Sequence, residues 1–506
     1  MTPTRDFPIT GGLGILAGSE REIAPWIEAI EARQIAGLGG VEIRADLLKS
    51  PEFALRLVER LCEAVPILFT ARLKEQGGAY GGTETDRVRL YNDAVAAGAV
   101  LIDVEWGSDA AVELTKAGLP VIISQHDFGG MIDRSALAAL TEEAATLGPR
   151  AIKVVPTATS PIDGVRMLEW VSEAPSDGPR RIGFAMGELG TFSRILSLAW
   201  GAPFTYASFG GAVAPGQVSF HDLTALYRAA NITRESRVFG VIGQPVTHSL
   251  SPAMHNPPLA ARSLDAVYLP LALSQFDDLP PLVDALGIDG VSVTIPFKSD
   301  AFRYARHSDE RCRGSGAANT LIFESPESAR AFNADVDGVL GPLARREIDL
   351  QGLSVGIIGN GGAARGAVHA LREGNARPTI YYRRRERGEP VANELGVAAR
   401  PLSELRAGDH RLLINATPLG LKPDDPSPVT SAVFDSDTVA FDMIYDPPQT
   451  PFLLASIAGG AADTISGREM LVHQGLIQFK LFTGKKPSYE ELEAAFLAGQ
   501  ERRRKR

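Results

Sequence analysis

The sequence predicts an α/β protein in two parts, a (β/α)8 barrel followed by a two-lobed α/β region. Three observations predict it. Short apolar runs recur at the spacing of strand-plus-helix units up to about residue 225. A polar stretch, "ITRESR", then leads into a new series of strand-like runs. Further on, "LSVGIIGNGGAARGAVHAL" runs an apolar strand into glycines and then into a helical pattern.

The eight runs of the first part are "GLGILAG", "GGVEIRADLL", "PILFTARL", "AVLIDVEW", "PVIISQHD", "AIKVVPT", "RIGFAMGE" and "PFTYASFG". Amphipathic segments such as "TETDRVRLYNDAVAAG" and "DRSALAALTEEAATLG" lie between them and end in glycine. Eight βα units imply a closed parallel TIM barrel, with its chemistry at the C-terminal ends of the strands. In the second run Glu42, Arg44 and Asp46 alternate, so their side chains share one face. The third run ends in Arg72, the fifth in Ser124 and His126, and the sixth carries Lys153 among Ala151, Ile152, Val154 and Val155. An ammonium in an apolar strand is costly unless it is paired, neutralised or used. Desolvated beside cationic neighbours, Lys153 is a candidate imine-former on a ketone, and His126 a proton carrier on either side of that imine. Imine barrels include aldolases and dehydratases, so the residues alone leave the reaction class open.

In the second part "RVFGVIGQ", "AVYLPLAL" and "GVSVTIPFK" read as strands of a small α/β lobe. The glycine-rich turn then has the G-x-G-x-x-A form in Gly359, Gly361 and Ala364, with Gly362 and Ala363 between. Gly359 makes the tight turn, Gly361 admits a pyrophosphate, and Ala364 allows close packing of helix on strand, as in a Rossmann lobe. After the next strand, "TIYYRRRERG" supplies Arg383, Arg384, Arg385 and Arg387 where an NAD enzyme offers an acid to the ribose. Arginines there suit a 2′-phosphate and so favour NADP. The expected domains are residues 1–232, 233–340 and 341–506, the last including C-terminal helices that return to the middle lobe.

Composition excludes several classes. The chain of 506 residues has 51 basic and 61 acidic side chains and a net charge of −10, which argues against a nucleic-acid binder; "ERRRKR" at the C-terminus reads as a solvated tail. Two isolated cysteines, Cys62 and Cys312, indicate neither a disulfide framework nor a zinc site, and no metal-ligand cluster stands out. No apolar stretch reaches membrane-spanning length, and "MTPTRDFPIT" lacks a signal-peptide layout. A cytoplasmic protein is expected, with no membrane or nucleic-acid partner, as a monomer or homodimer.

The first part resembles the type I 3-dehydroquinate dehydratases, through "EIRADLL", "FTARLKEQGG", "SQHDF", "IKVVP", "FAMGELGTFSR" and "APGQV" in the family's order. The resemblance implies that Lys153 forms an imine with the ring ketone, and that His126 removes the neighbouring proton and then protonates the departing hydroxyl. It assigns Glu42, Arg44, Arg72, Arg194 and Gln217 to the substrate's hydroxyls and carboxylate, a task suited to arginine's planar fork. Two positions depart from the family. Gln76, with Glu75 just before it, stands where a glutamate usually orients the histidine, and Val213 stands where a serine precedes "APGQ". Slower dehydration is expected, and Glu75 substitutes only if the backbone bulges.

The second part resembles the shikimate dehydrogenases, through "GQPVTHSLSPAMHN", "SVTIPFK", "GAANTL", "FNADVDG", "GNGGAARG", "NATPLG", "FDMIYDPPQTPFL" and "GREMLVHQG". This implies Lys298 and Asp335 as the catalytic pair. It assigns Ser249, Ser251, Thr294, Asn319 and Gln474 to the substrate, and Asn415, Thr417 and Tyr445 to the cofactor and substrate cleft. Ser292 replaces a common asparagine. The first family makes 3-dehydroshikimate and the second reduces it, so the two together imply a bifunctional enzyme taking 3-dehydroquinate to shikimate with NADPH. The alternatives are a quinate/shikimate dehydrogenase with a weakened dehydratase half, and a ligand-sensing scaffold.

Overall fold

The computed structural model describes residues 7–210, 216–422 and 424–504. The chain divides into two compact units, residues 1–252 with 259–289 and 502–506, and residues 253–258 with 290–501.

The first unit opens with eight parallel strands: β1 (Gly11–Leu16), β2 (Leu38–Arg44), β3 (Ile67–Thr70), β4 (Leu101–Glu105), β5 (Val121–Asp127), β6 (Ala151–Pro156), β7 (Arg180–Gly183) and β8 (Phe204–Ser208). Helices α1 (Glu20–Glu31), α2 (Pro51–Leu61), α3 (Glu84–Ala96), α4 (Asp109–Lys116), α5 (Arg134–Thr146), α6 (Pro161–Ser172) and α7 (Thr191–Leu196) alternate with them. The helix starts are legible in residue type. Ser50, Thr83, Ser108 and Asp133 each accept a backbone N–H of the first turn of α2, α3, α4 and α5. The sheet order is β7-β6-β5-β4-β3-β2-β1-β8. The barrel is therefore nearly closed rather than closed, with no β7–β8 ladder among the described residues. At that seam β7 is only four residues long, and Arg194 of α7 bonds β8 instead: Thr205 Oγ1 donates to its carbonyl at 2.9 Å.

Alternation along the strands sorts the barrel interior into layers. Its N-terminal end is plugged by Leu68, Leu101, Ile122, Ala151, Ile182 and Phe204, all fully buried. One pleat further along, Thr70, Asp103, Ser124 and Lys153 point inward instead; Thr70 is in register with Asp103 and Ser124 with Lys153, while Ser124 is offset by two residues from Asp103, its register partner on β4 being Glu105. The charged layer thus lies on an apolar floor.

The first unit continues through β9 (Arg237–Gly243), α8 (Ser251–Ala261), β10 (Ala266–Ala272) and α9 (Leu279–Leu286), with β9 and β10 parallel and α8 shared with the second unit. α7 packs on β10, and α6 on α9.

The second unit contains most of β11 (Ile288–Val293), then α10 (Lys298–Tyr304), β12 (His307–Ser308), α11 (Glu310–Ser315), β13 (Thr320–Ser325), β14 (Ser328–Phe332) and α12 (Asp335–Arg345). β13 runs antiparallel to both β11 and β14. A second sheet follows from β15 (Ser354–Ile358), α13 (Gly362–Glu373), β16 (Arg377–Tyr382), α14 (Arg385–Leu395), β17 (Ala398–Pro401), β18 (Leu412–Asn415), β19 (Val439–Asp442), α15 (Pro451–Ala458) and β20 (Asp463–Ile465). Its parallel order β17-β16-β15-β18-β19-β20 reverses at β15, the switch point at which Rossmann sheets take their ligand. Helices α16 (Gly467–Thr483) and α17 (Tyr489–Arg504) close the chain, and α16 packs on α12. Among the described residues no helix is long and apolar enough to cross a membrane.

Candidate active sites

At the C-terminal mouth of the barrel, Glu42, Arg44, Arg72, His126, Lys153, Arg194 and Gln217 line one pocket of about 90 Å³, together with Gln76, Met186 and Tyr206. Every dehydratase residue expected from the sequence is there. Val213 lies outside the described residues.

Lys153 sits at the centre. Its Nζ donates to Asp103 Oδ2 at 3.0 Å and lies 4.2 Å from the centroid of the Tyr206 ring. Burial lowers its pKa, the Asp103 carboxylate works against that, and the Arg72 guanidinium adds to the lowering; the net direction is toward the free amine. Burial likewise holds His126 well below 6.5, helped by the positive charges of Arg72 and Lys153, so the ring is neutral at pH 7. Gln76 Oε1 accepts the backbone N–H of His126 at 2.8 Å and lies 3.4 Å from Nδ1, while Gln76 Nε2 donates to Gln125 Oε1 at 2.9 Å. An acceptor at Nδ1 puts the ring proton there and leaves Nε2 as the base. Gln76 therefore occupies the orienting place itself, and the neighbouring Glu75 is exposed.

Beneath this pair lies a network that sequence reasoning missed. Arg72 donates to Asp103 at 2.7 Å, to Ser124 at 2.7 Å and to Glu105 at 3.2 Å. Burial pushes the Asp103 carboxyl up, but Arg72 and Lys153 outweigh it and hold Asp103 well below the usual range. Glu105 also pairs with Arg87 of α3, whose side chain is fully buried. The signal for the two acids was present: Asp103 and Glu105 are two apart in the otherwise apolar "LIDVE". Arg87 carried none, because it reaches the barrel from a helix.

Glu42 accepts Thr70 Oγ1 at 2.8 Å, and Arg44 forks onto Asp46 at 2.9 and 2.8 Å. Arg194 differs. Its guanidinium lies 3.9 Å from the Phe184 ring centroid and donates to the Tyr206 carbonyl at 3.4 Å, with no carboxylate in reach among the described residues and its Nε unbonded. Burial lowers its pKa to about 9. A buried cation facing a pocket without a counter-ion is a receptor for an anionic ligand.

In the second unit, Lys298 at the start of α10 meets Asp335 at the start of α12, Nζ to Oδ2 at 2.6 Å. Asn319 Nδ2 donates to the other Asp335 oxygen at 2.9 Å and to Gln474 Oε1 at 3.1 Å. Asn319 Oδ1 in turn accepts Thr320 Oγ1 and the Ala334 N–H, both at 2.9 Å. The expected pair and two expected substrate residues are thus one bonded cluster. Thr294 is half-buried beyond β11, its carbonyl accepting the Phe297 N–H. The Ser292 hydroxyl, within β11, is buried without a partner among the described residues. In the first unit, Ser251 N–H donates to Ser249 Oγ at 3.2 Å as α8 begins.

The glycine turn joins β15 to α13. Gly359 has φ +119°, and a Cβ there would sit 3.0 Å from the Ala416 carbonyl oxygen. Gly361 precedes α13 and Gly362 begins it, and a Cβ at either would meet nothing within 4 Å. Ala363 is exposed on the first turn of α13, and Ala364 is fully buried under it. Arg383, Arg384 and Arg387 are exposed, with no ion pair among the described residues, whereas Arg385 is committed to Glu389 at 2.9 Å. Asn415 holds the Thr417 N–H at 3.0 Å and bonds Asp442 at 3.1 Å; Tyr445 stands edge-on to Phe496. No group of three or more potential metal ligands occurs among the described residues.

Residues 21–234 match the family described as Type I 3-dehydroquinase, residues 241–321 the shikimate dehydrogenase substrate binding domain, and residues 467–495 the shikimate 5'-dehydrogenase C-terminal domain. The chain is 31% identical over 493 residues to the chloroplastic bifunctional 3-dehydroquinate dehydratase/shikimate dehydrogenase of Arabidopsis thaliana, covering 92% of this chain and 81% of that protein. Shikimate dehydrogenase (NADP(+)) of Ignicoccus hospitalis is 38% identical over 265 residues, 52% of this chain and 98% of its own. The enzyme of the same name from Caulobacter vibrioides is 38% identical over 267 residues, 51% of this chain and 93% of its own.

Proposed function

Because the chain belongs to the bifunctional 3-dehydroquinate dehydratase/shikimate dehydrogenase family, we propose that Lys153 and Lys298 are its two catalytic lysines, one for each reaction. The observation that carries the first role is a lysine driven toward its free amine beside a neutral, oriented histidine in one pocket. Lys153 Nζ adds to the ring ketone of 3-dehydroquinate, and water leaves to form the imine. His126 takes the proton from the neighbouring carbon. The electron pair moves into the ring, and His126 returns that proton to the departing hydroxyl, which leaves as water. Hydrolysis of the imine frees 3-dehydroshikimate and restores Lys153. Arg194 binds the ring carboxylate, whose charge it lacks among the described residues, and Glu42, Arg44, Arg72 and Gln217 hold hydroxyls.

For the second reaction the Gly359 turn, the open approach at Gly361 and Gly362 and the unpaired arginines fit a dinucleotide bearing a 2′-phosphate. When bound, NADPH supplies the hydride. Ala363 and Ala364 continue that turn into α13, and Asn415, Thr417 and Tyr445 border the cofactor. Lys298, held by Asp335, gives its proton to the developing alkoxide, while Ser249, Ser251, Thr294, Asn319 and Gln474 hold the substrate. We assign residues 1–232 to the dehydratase, 233–340 to the substrate lobe and 341–506 to the cofactor lobe and closing helices, in a cytoplasmic monomer or homodimer.

Two measurements test this. Borohydride with 3-dehydroquinate should leave a reduced adduct on Lys153 by mass spectrometry; turnover without an adduct overturns the imine route. Purified protein given 3-dehydroquinate should accumulate 3-dehydroshikimate alone and shikimate when NADPH is added.

A further inference from the structure

The loop after β7 is used twice. Met186 and Arg194 line the barrel pocket, and between them a short turn runs over Glu188–Gly190. Glu188 does not line that pocket. Its Oε1 accepts the backbone N–H of Val246 at 2.7 Å and of Thr247 at 2.8 Å, and the Thr247 hydroxyl at 3.1 Å. These residues lie in "GQPVTHSLSP" after β9, in the same compact unit.

That stretch is a turn with a cargo. Ser249 N–H closes it on the Val246 carbonyl at 2.9 Å, Ser251 N–H bonds Ser249 Oγ at 3.2 Å, and α8 starts at Ser251. Two successive N–H groups on one carboxylate oxygen fix the orientation of the Val246–Thr247 peptide, and with it the carbonyl on which Ser249 closes. Arg503 Nη1 grips the same stretch at the His248 carbonyl, 2.9 Å away. Thr247 and His248 are exposed, so without Glu188 water would compete for those N–H groups. The barrel gains nothing comparable from the carboxylate. The Glu188 turn is closed by its own backbone, Gly190 N–H to the Gly187 carbonyl and Thr191 N–H to the Glu188 carbonyl.

We infer that Glu188, supplied by the dehydratase barrel, is a positioning residue for the dehydrogenase, holding the Val246–Ser249 turn so that Ser249 and Ser251 are presented to 3-dehydroshikimate. This rests on the assignment of those serines to the substrate. It makes one half of the chain part of the other half's specificity: a dehydrogenase half with the same serines but no Glu188 has a looser substrate turn.

The test is steady-state dehydrogenase kinetics on full-length variants. In Glu188→Ala the KM for 3-dehydroshikimate should rise about tenfold with kcat within about twofold, the pattern of lost substrate binding rather than lost chemistry. Glu188→Gln keeps an acceptor oxygen and should hold KM within about threefold of the parent. Ser249→Ala and Ser251→Ala, measured alongside, should also raise KM. If they do and Glu188→Ala does not, the inference is overturned while the serine assignment stands. If neither serine variant raises KM, the serine assignment fails and takes the inference with it. Equal losses in Glu188→Ala and Glu188→Gln, with matching falls in melting temperature, would reduce Glu188 to a structural role and also overturn it.

Discussion

Gln76 is the most informative single side chain, because it does with an amide what a carboxylate does in the resembling family. Its oxygen orients His126 without lending charge, and the ring's pKa stays depressed. Gln76→Glu puts a negative charge at that contact, which favours the imidazolium and raises the pKa toward 6.5. The acid limb of dehydratase kcat/KM should therefore move to higher pH and turnover should rise, with dehydrogenase kinetics unchanged; a pH profile of each activity checks this. Glu75→Gln should be silent. His126→Ala should slow dehydration by about 10²-fold or more while still permitting some borohydride trapping. Asp103→Asn separates two effects of one charge. Removing the carboxylate leaves Arg72 to lower the Lys153 pKa further, so the acid limb of imine formation moves down. The iminium loses its counter-ion, so the trapped yield falls. Breaking the buried Arg72 network should also cost about 3–5 kcal/mol in denaturant unfolding. Lys153 was legible because it interrupts the middle of an apolar strand, and His126 because it breaks the apolar pattern at the C-terminal end of one. Asp103 and Glu105 obey the same alternation and were equally readable. Arg87 was not, since only tertiary packing brings α3 against β4.

At the scale of elements, the β15–turn–α13 unit was the most transparent, because an apolar strand runs straight into glycines and a helical pattern, and Gly359 is demanded by its positive φ and the nearby Ala416 carbonyl. Gly359→Ala forces a Cβ toward the Ala416 carbonyl at a positive φ, so it should weaken NADPH binding by fluorescence titration and destabilise the protein by about 1–2 kcal/mol. We assign cofactor choice to the segment after β16. Arg383 and Arg384 have no ion pair among the described residues, and a 2′-phosphate offers each a charge-assisted bond. The Arg383→Ala, Arg384→Ala double variant should raise the KM for NADPH roughly tenfold to a hundredfold per well-placed arginine and scarcely alter that for NADH. Equal use of both cofactors by the parent protein would show that these side chains face solvent only. The barrel seam was less readable. Eight apolar runs imply closure, but the sequence does not announce that β7 stops after four residues and that α7 bonds β8 in place of a ladder.

For the whole molecule, two separable chemistries on one chain predict separable losses. Lys153→Ala should abolish formation of shikimate from 3-dehydroquinate yet leave NADPH oxidation with 3-dehydroshikimate intact, and Lys298→Ala should leave dehydration intact, abolish NADPH oxidation and let 3-dehydroshikimate accumulate. The two family matches part between residues 234 and 241, but the first compact unit does not end there. It carries the barrel together with residues 259–289, with α7 packed on β10 and α6 on α9. Val267, Tyr268, Leu269 and Leu271 of β10 are almost entirely buried. Two ancestral genes joined end to end would leave a scar at which a protease could part them again. Here the scar has healed across. A chain cut after residue 232 should yield a C-terminal piece that binds hydrophobic dyes, melts earlier than the intact protein and regains order when the barrel is added back, so recombination could no longer trade either half as a free cassette.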